Sequence, residues 1–247
     1  MDLELGSIFR DVSGHQTDSL LPYAALARLS YVLASYRLRM IPASCSMAAI
    51  LFDALAPPEE QLPRKLQVEF RERIDDAGRP VVQLWCHNQP LGDPIRDNTV
   101  IPDGYRYHDV FHLAEIAILG WSPAWRKLLN CKRRSLPFVH ETQDGGRATV
   151  ADEAFASIVF EHAFRSGFPE KPLQVGFHLL ETVSLLLSRF EVAAHPRSSL
   201  VRCVEEGIQA WRSLILRRGG VVIARLDTQT LSVEKPLAKQ TAECHRN

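Results

Sequence analysis

The sequence predicts a mainly α fold: a helical bundle with a small β-hairpin before the central helices and another after them. Three observations predict it. Apolar residues recur at i, i+3 and i+4 through most of the chain. Period-two alternation is confined to stretches near residues 66–85 and 221–234. Gly and Pro clusters mark the boundaries between these segments.

The bulk composition suits a globular domain. The chain has 247 residues, 46% hydrophobic and 23% charged, enough to bury a substantial core. Lys+Arg and Asp+Glu balance at 29 each, so no net field draws the chain to nucleic acid or to a membrane. Five scattered cysteines form no CxxC pair, which argues against a disulfide framework or a cysteine zinc site. The acidic start lacks the basic-then-apolar layout of a signal peptide, and no apolar run nears the roughly 18 residues that span a bilayer. A cytoplasmic location is expected.

Residues 1–18 read as a loose polar arm. From Ser19 to Met40, Leu20, Leu21, Tyr23, Ala24, Leu26, Ala27, Leu29, Val32 and Leu33 keep helical spacing. A second helix is expected over 46–55, stopped by Pro57-Pro58, which makes 1–61 an N-terminal helical segment. Then Leu66, Val68 and Phe70 alternate with Gln67, Glu69 and Arg71, and Val81–Trp85 follows a Gly-containing turn: a hairpin. The stretch 88–104 has turn chemistry and reads as a loop.

Helices are expected at about 105–119, 122–131, 149–166, 172–190 and 198–217. In the last, Leu200, Val201, Val204, Ile208, Trp211 and Ile215 line one face. Gly219-Gly220 ends it, and 221–226 with 231–234 suggests a terminal hairpin. The main domain runs over 62–235, with 236–247 a disordered tail. The chain shows no internal repeat and no Walker or Rossmann phosphate loop.

The chemistry-bearing stretch is Tyr105-Arg-Tyr-His108-Asp109-Val-Phe-His112-Leu-Ala-Glu115. At about 100° per residue, His108, Asp109, His112 and Glu115 share one arc of roughly 120°. Asp109 and His112 are three apart, His108 and His112 four, so neighbouring pairs can hold one metal ion or one water. The alternative is the polar face of an amphipathic helix, although such faces favour Lys, Glu and Arg.

A second part is Asp144-Gly-Gly-Arg147-Ala-Thr149-Val-Ala-Asp152-Glu153. Thr149-x-x-Asp152 fits a capping box, which would explain Asp152 without a functional role. Glu153 projects toward the apolar arc near Phe160 and Phe164, where a metal or basic partner would relieve the cost of its charge. Two helices bringing acids or imidazoles to a shared cleft is how bundles build metal sites. Between the two parts, Arg126, Lys127, Lys132, Arg133 and Arg134 form either a solvated face or, with Arg147, a phosphate-binding set.

The runs GDPIRDNTVIPDGYRYHDVFHLAEIAILGWSPAWRKLLNCKRRS and QDGGRATVADEAF resemble the C-terminal domain found in MazG-like nucleotide pyrophosphohydrolase proteins, over about residues 62–235. The resemblance implies an all-α, Mg²⁺- or Mn²⁺-dependent protein that cleaves a nucleoside triphosphate to monophosphate and pyrophosphate. It also implies assembly as a homo-oligomer. The family's catalytic pattern pairs an ExxE helix with an ExxD helix. The nearest equivalents here are Asp109-x-x-His112 and Glu153-x-x-Ala156, which depart from it at several positions.

On that reading, metal-assisted hydrolysis would use Asp109, His112 and Glu153 as ligands, with Glu115 and Asp152 completing the candidate metal set. His108 would act as general base. Arg106, Lys132, Arg133 and Arg147 would carry the polyphosphate charge. Two alternatives stand beside it. An HD-type phosphohydrolase would use His87, His108-Asp109 and either Asp144 or Asp152. A non-catalytic module would bind a nucleotide or a partner protein.

Overall fold

Strands β1 (Lys65–Ile74), β2 (Pro80–Cys86), β3 (Gln89–Ile95), β4 (Gly219–Arg225) and β5 (Thr230–Glu234) all need partners for their backbone groups, and in β1 the alternating Leu66, Val68 and Phe70 give one face to bury. The chain satisfies all of them in one five-stranded sheet of order β3-β2-β1-β4-β5, antiparallel throughout. The computed structural model describes residues 50–166 and 175–235. The helix expected over 19–40 and the tail from Pro236 lie outside the described residues.

This sheet overturns the expected helical bundle. Helical turns take about 48% of the described residues and strands about 20%, an α+β fold. The two hairpins are not separate appendages. Strand β1 pairs with β4 from Lys65↔Arg225 to Arg71↔Gly219, which joins them. The stretch expected as a loop after residue 88 opens with β3, an edge strand whose Pro90 and Pro94 cannot donate to a ladder. In the described part of the 46–55 helix, residues 52–55 form a turn instead.

Between β3 and β4 the chain is helical. A 3₁₀ turn (Tyr105–Tyr107) leads into α1 (Asp109–Ala114), which runs on as a π-helical turn over Glu115–Leu119 and stops at Gly120 in the left-handed region. Helices α2 (Pro123–Leu128), α3 (Pro137–Thr142), α4 (Gly146–Arg165), α5 (Phe177–Leu187) and α6 (Arg197–Arg217) follow. Leu66, Val68, Phe70, Val82, Leu84, Val222 and Ala224 share one core with the helices. Helix α1 is buried on every side from Val110 to Ala114, because the sheet and α6 enclose it. Gly207 permits that approach: a Cβ there would stand 3.1 Å from the Phe111 ring.

A buried ionic network ties the loops together. Arg126 donates to Asp53 (2.8 Å) and to the carbonyls of Glu60 and Cys131. Arg133 donates to both oxygens of Asp144 and of Glu191. These arginines and both aspartates are all but inaccessible to water. Each of these charges has an opposite partner, so the network avoids the several kcal/mol that a stranded buried charge costs.

Candidate functional site

Helix α1 and the following π-turn carry Asp109, His112 and Glu115 past the middle of α4, which carries Asp152 and Glu153. A π-turn of this kind often marks a functional position. The ligand-type atoms of His108, Asp109 and His112 lie within 4.8 Å of one another, as do those of His112, Glu115 and Asp152. His112 belongs to both groups and is 1% exposed.

The imidazole of His112 is oriented from below. Its Nδ1–H donates to Asp152 Oδ1 at 2.6 Å, and Glu115 Oε2 stands 3.4 Å from the same nitrogen. Asp152 Oδ2 accepts from the Ser122 hydroxyl and the Ala124 backbone N–H, each at 2.8 Å. Nε2 is thereby turned toward Glu153, whose Oε2 is 3.5 Å away, and it has no hydrogen-bond partner. Burial alone would lower the pKa of His112, but Asp152, Glu115 and Glu153 together hold it well above the usual histidine value.

The carboxyls divide in response. Burial, reinforced by the Asp152 charge, raises the pKa of Glu115 well above the carboxylate range. Burial works against ionised Asp152 as well, but the charge and hydrogen bond of His112 outweigh it and lower its pKa. Glu153, with half of its side chain in solvent, is lowered chiefly by His112.

His108 stacks on Tyr105 at 4.2 Å and donates Nδ1–H to the Tyr105 carbonyl at 2.9 Å. Burial lowers its pKa. Trp125 donates its indole N–H to Asp109 Oδ1 at 3.1 Å. Helix α2 therefore braces both groups: it holds Asp109 through Trp125, and His112 through Ser122, Ala124 and Asp152. Histidines that hold a metal are commonly fixed in this way, by donating the far ring N–H to a carboxylate or carbonyl. An ion that displaced the Nε2 proton of His112 would find that nitrogen grouped with the carboxylates of Asp109 and Glu153, a donor set that fits a divalent metal.

A cavity of about 200 Å³ opens beside these groups. Asp109 and Glu153 stand in its wall, Leu84, Leu91, Trp125 and Leu128 supply apolar sides, and Asp93 adds a third carboxylate. No Lys or Arg lines it.

Several expected residues are placed elsewhere. The capping box does not form: α4 starts at Gly146, and Thr149, inside the helix, donates its hydroxyl to the Gly145 carbonyl. Asp152 braces the start of α2 instead. Arg106 is held by Glu72 and Asp97, and Lys132 donates to the Asp144 carbonyl. Arg133 is sealed in the core. Of the four basic residues expected at phosphates, Arg147 remains exposed, on the first turn of α4. Of the HD-type set, His87 sits in the β2–β3 turn beside Cys86 and Asp144 is taken by Arg133, while Asp152, the other candidate for the later acid, does join the cluster through His112. Sequence reasoning missed Ser122, Trp125 and Asp93. The Ser-Pro pair, a helix-start signal, pointed to the first of these.

The family model for the MazG C-terminal domain matches residues 47–237. The chain belongs to this family. The MazG C-terminal match begins ahead of Leu62, the expected start, and takes in the turn that carries Asp53. Searches of curated proteins and of solved structures each found no match. No helix among the described residues is long and apolar enough to cross a membrane.

Proposed function

We propose that this MazG C-terminal domain is a divalent-metal-dependent nucleotide pyrophosphohydrolase, cleaving a nucleoside triphosphate to monophosphate and pyrophosphate. One observation carries the reading: a fully buried imidazole, fixed through Nδ1, turns Nε2 toward Glu153 at 3.5 Å, in one cluster with Asp109. His112, Asp109 and Glu153 would hold the ion. One imidazole with two carboxylates suits Mn²⁺ at least as well as Mg²⁺. A bound ion would supply Lewis-acid polarisation of a phosphoryl oxygen and a more acidic water.

The chain's own groups do the rest. His108, anchored through Nδ1, offers its other nitrogen as an acceptor for a proton from water. The acidic wall repels a bare polyphosphate and admits one whose charge is met by metal. Family membership supports a MazG-like context for this chemistry.

The test is a panel of NTPs and dNTPs with Mn²⁺ or Mg²⁺, the products separated by chromatography, with Asp109→Asn and Glu153→Gln as controls. Monophosphate and pyrophosphate that disappear in both variants are expected. Turnover unchanged in the variants, or none with any nucleotide, overturns the reading. Ala156 favours a second one: it is buried in the core where the family's pattern has a carboxylate. A non-catalytic domain would bind Mn²⁺ and nucleotide without turnover.

A further inference from the structure

Part of the cavity wall is formed by an irregularity in β3. The β2–β3 register runs Leu84↔Leu91 and then Val82↔Ile95, so Gly92, Asp93 and Pro94 all stand opposite Gln83. Bulges at sheet edges commonly re-aim a side chain toward a site. This one is pinned: Gln83 donates its amide to the carbonyls of Leu91 and Gly92 at 3.2 and 3.1 Å. Gly92 has φ +65°, and a Cβ there would stand 3.3 Å from Leu128 Cδ1, a wall of the cavity. Glycine therefore serves both the backbone turn and the opening of the slot.

The slot's chemistry is one-sided. Its side walls are Leu84, Leu91, Ile95, Ala124, Trp125 and Leu128, and its charged groups are Asp93, Asp109 and Glu153. The Trp125 N–H is spent on Asp109. The side chains thus offer acceptors and apolar surface but no free donor. Asp109 and Glu153, grouped with His112, are the carboxylates assigned to metal. Asp93, on the bulge, has no ion-pair or hydrogen-bond partner among the described residues. At about 200 Å³ the slot is smaller than the ~300–1,000 Å³ typical of a drug-sized ligand. It has room for one ring system, not for a whole nucleotide.

We infer that this slot receives the base of the nucleotide and that Asp93 is a specificity-determining residue, accepting hydrogen bonds from the amino edge of adenine, cytosine or guanine. The inference rests on the nucleotide reading above. Apolar walls cover the faces of a flat ring, and a carboxylate at its edge rewards N–H donors. Uracil and thymine bring carbonyl oxygens on either side of their single N–H, and these meet the carboxylate unfavourably.

The test compares kcat and KM for ATP, GTP, CTP, UTP and dTTP with Mn²⁺, in the natural protein and in Asp93→Asn. Asp93 is exposed, so the variant is expected to fold normally. The natural protein should favour the amino-bearing bases. In Asp93→Asn, KM for these should rise about 5- to 100-fold, the range for one good base-edge contact, with kcat unchanged. Discrimination against uracil should weaken, because an amide can donate to a base carbonyl. Turnover with equal kcat/KM for all bases, or an unchanged profile in Asp93→Asn, overturns this inference and leaves the hydrolase reading intact. If no nucleotide is turned over, the hydrolase reading falls. Calorimetric binding of the five monophosphates to both proteins then decides: the same base preference supports Asp93, and its absence overturns the inference.

Discussion

Replacing Asp152 by Asn separates an orienting role from a ligand role. Asp152 accepts three hydrogen bonds, from His112 Nδ1, the Ser122 hydroxyl and the Ala124 backbone N–H. An asparagine has only one oxygen and must choose. With its oxygen toward Ala124, its NH₂ faces His112, which must then accept at Nδ1 and carry its proton on Nε2, the atom offered to metal. With its oxygen toward His112, two donors collide at Ala124, and a half-buried backbone N–H at the start of α2 loses its partner. The first arrangement lowers metal affinity by about 10- to 100-fold, as loss of a metal-bound histidine's partner typically does. The second costs about 3 kcal/mol of stability, one charge-assisted hydrogen bond and one stranded donor. Mn²⁺ titration by calorimetry and urea unfolding, run on the same preparation, read both. A variant with the natural protein's Mn²⁺ affinity and the natural protein's stability refutes the reasoning.

Three further outcomes are expected. Trp125→Phe removes the N–H that steadies Asp109; by calorimetry Mn²⁺ affinity should fall about tenfold, alongside a stability loss of about 1–2 kcal/mol from the smaller buried ring. Arg133→Met strands buried Asp144 and should cost about 3–5 kcal/mol in urea unfolding, whereas a phosphate-binding role would leave stability alone and raise KM. His195 gives a pH dependence. Burial, only partly offset by its bond to the Leu119 carbonyl, lowers its pKa to about 4, against about 6.5 when unfolded. Its contribution is complete above pH 6.5. It is lost as pH falls toward 4, because the unfolded chain takes up a proton that the folded chain refuses. The loss reaches at most about 3 kcal/mol. Urea unfolding at pH 7 and pH 4.5 should show His195→Gln losing less stability on acidification than the natural protein does.

The readable and unreadable parts of this chain divide along a physical line. The i, i+3, i+4 spacing of Leu200, Val204, Ile208 and Trp211 placed α6 to within a residue, because that helix buries one stripe. The alternation of Leu66, Val68 and Phe70 identified β1, but a strand's neighbour is not written in its own periodicity. The pairing with β4 is remote and decided the fold class. Strand β3 was hidden by the same Pro and Gly residues that suit an edge and a bulge. At the site, helical geometry brought His108, Asp109 and His112 to one arc. It carried no sign that α1 would be enclosed on all sides, which turns His112 and Glu115 inward. The basic run was misleading for the same reason. Arg126 and Arg133 look solvated until their distant partners, Asp53 and Glu191, are seen to draw them into the core.

The sheet order has a consequence for how this chain comes to be folded. Every helix from α1 to α6 lies between strands β3 and β4, so the seam between β1 and β4 closes a very long loop. Such non-local pairing slows folding, since the entropy of closure is met before its contacts form. During synthesis β1 leaves the ribosome early, with one edge unpaired until Gly219–Arg225 has been made. An open strand edge of this kind is a template for pairing with other chains. A polypeptide ending short of Gly219 would keep the whole site in its sequence and still lack the strand that packs against α1 and its π-turn.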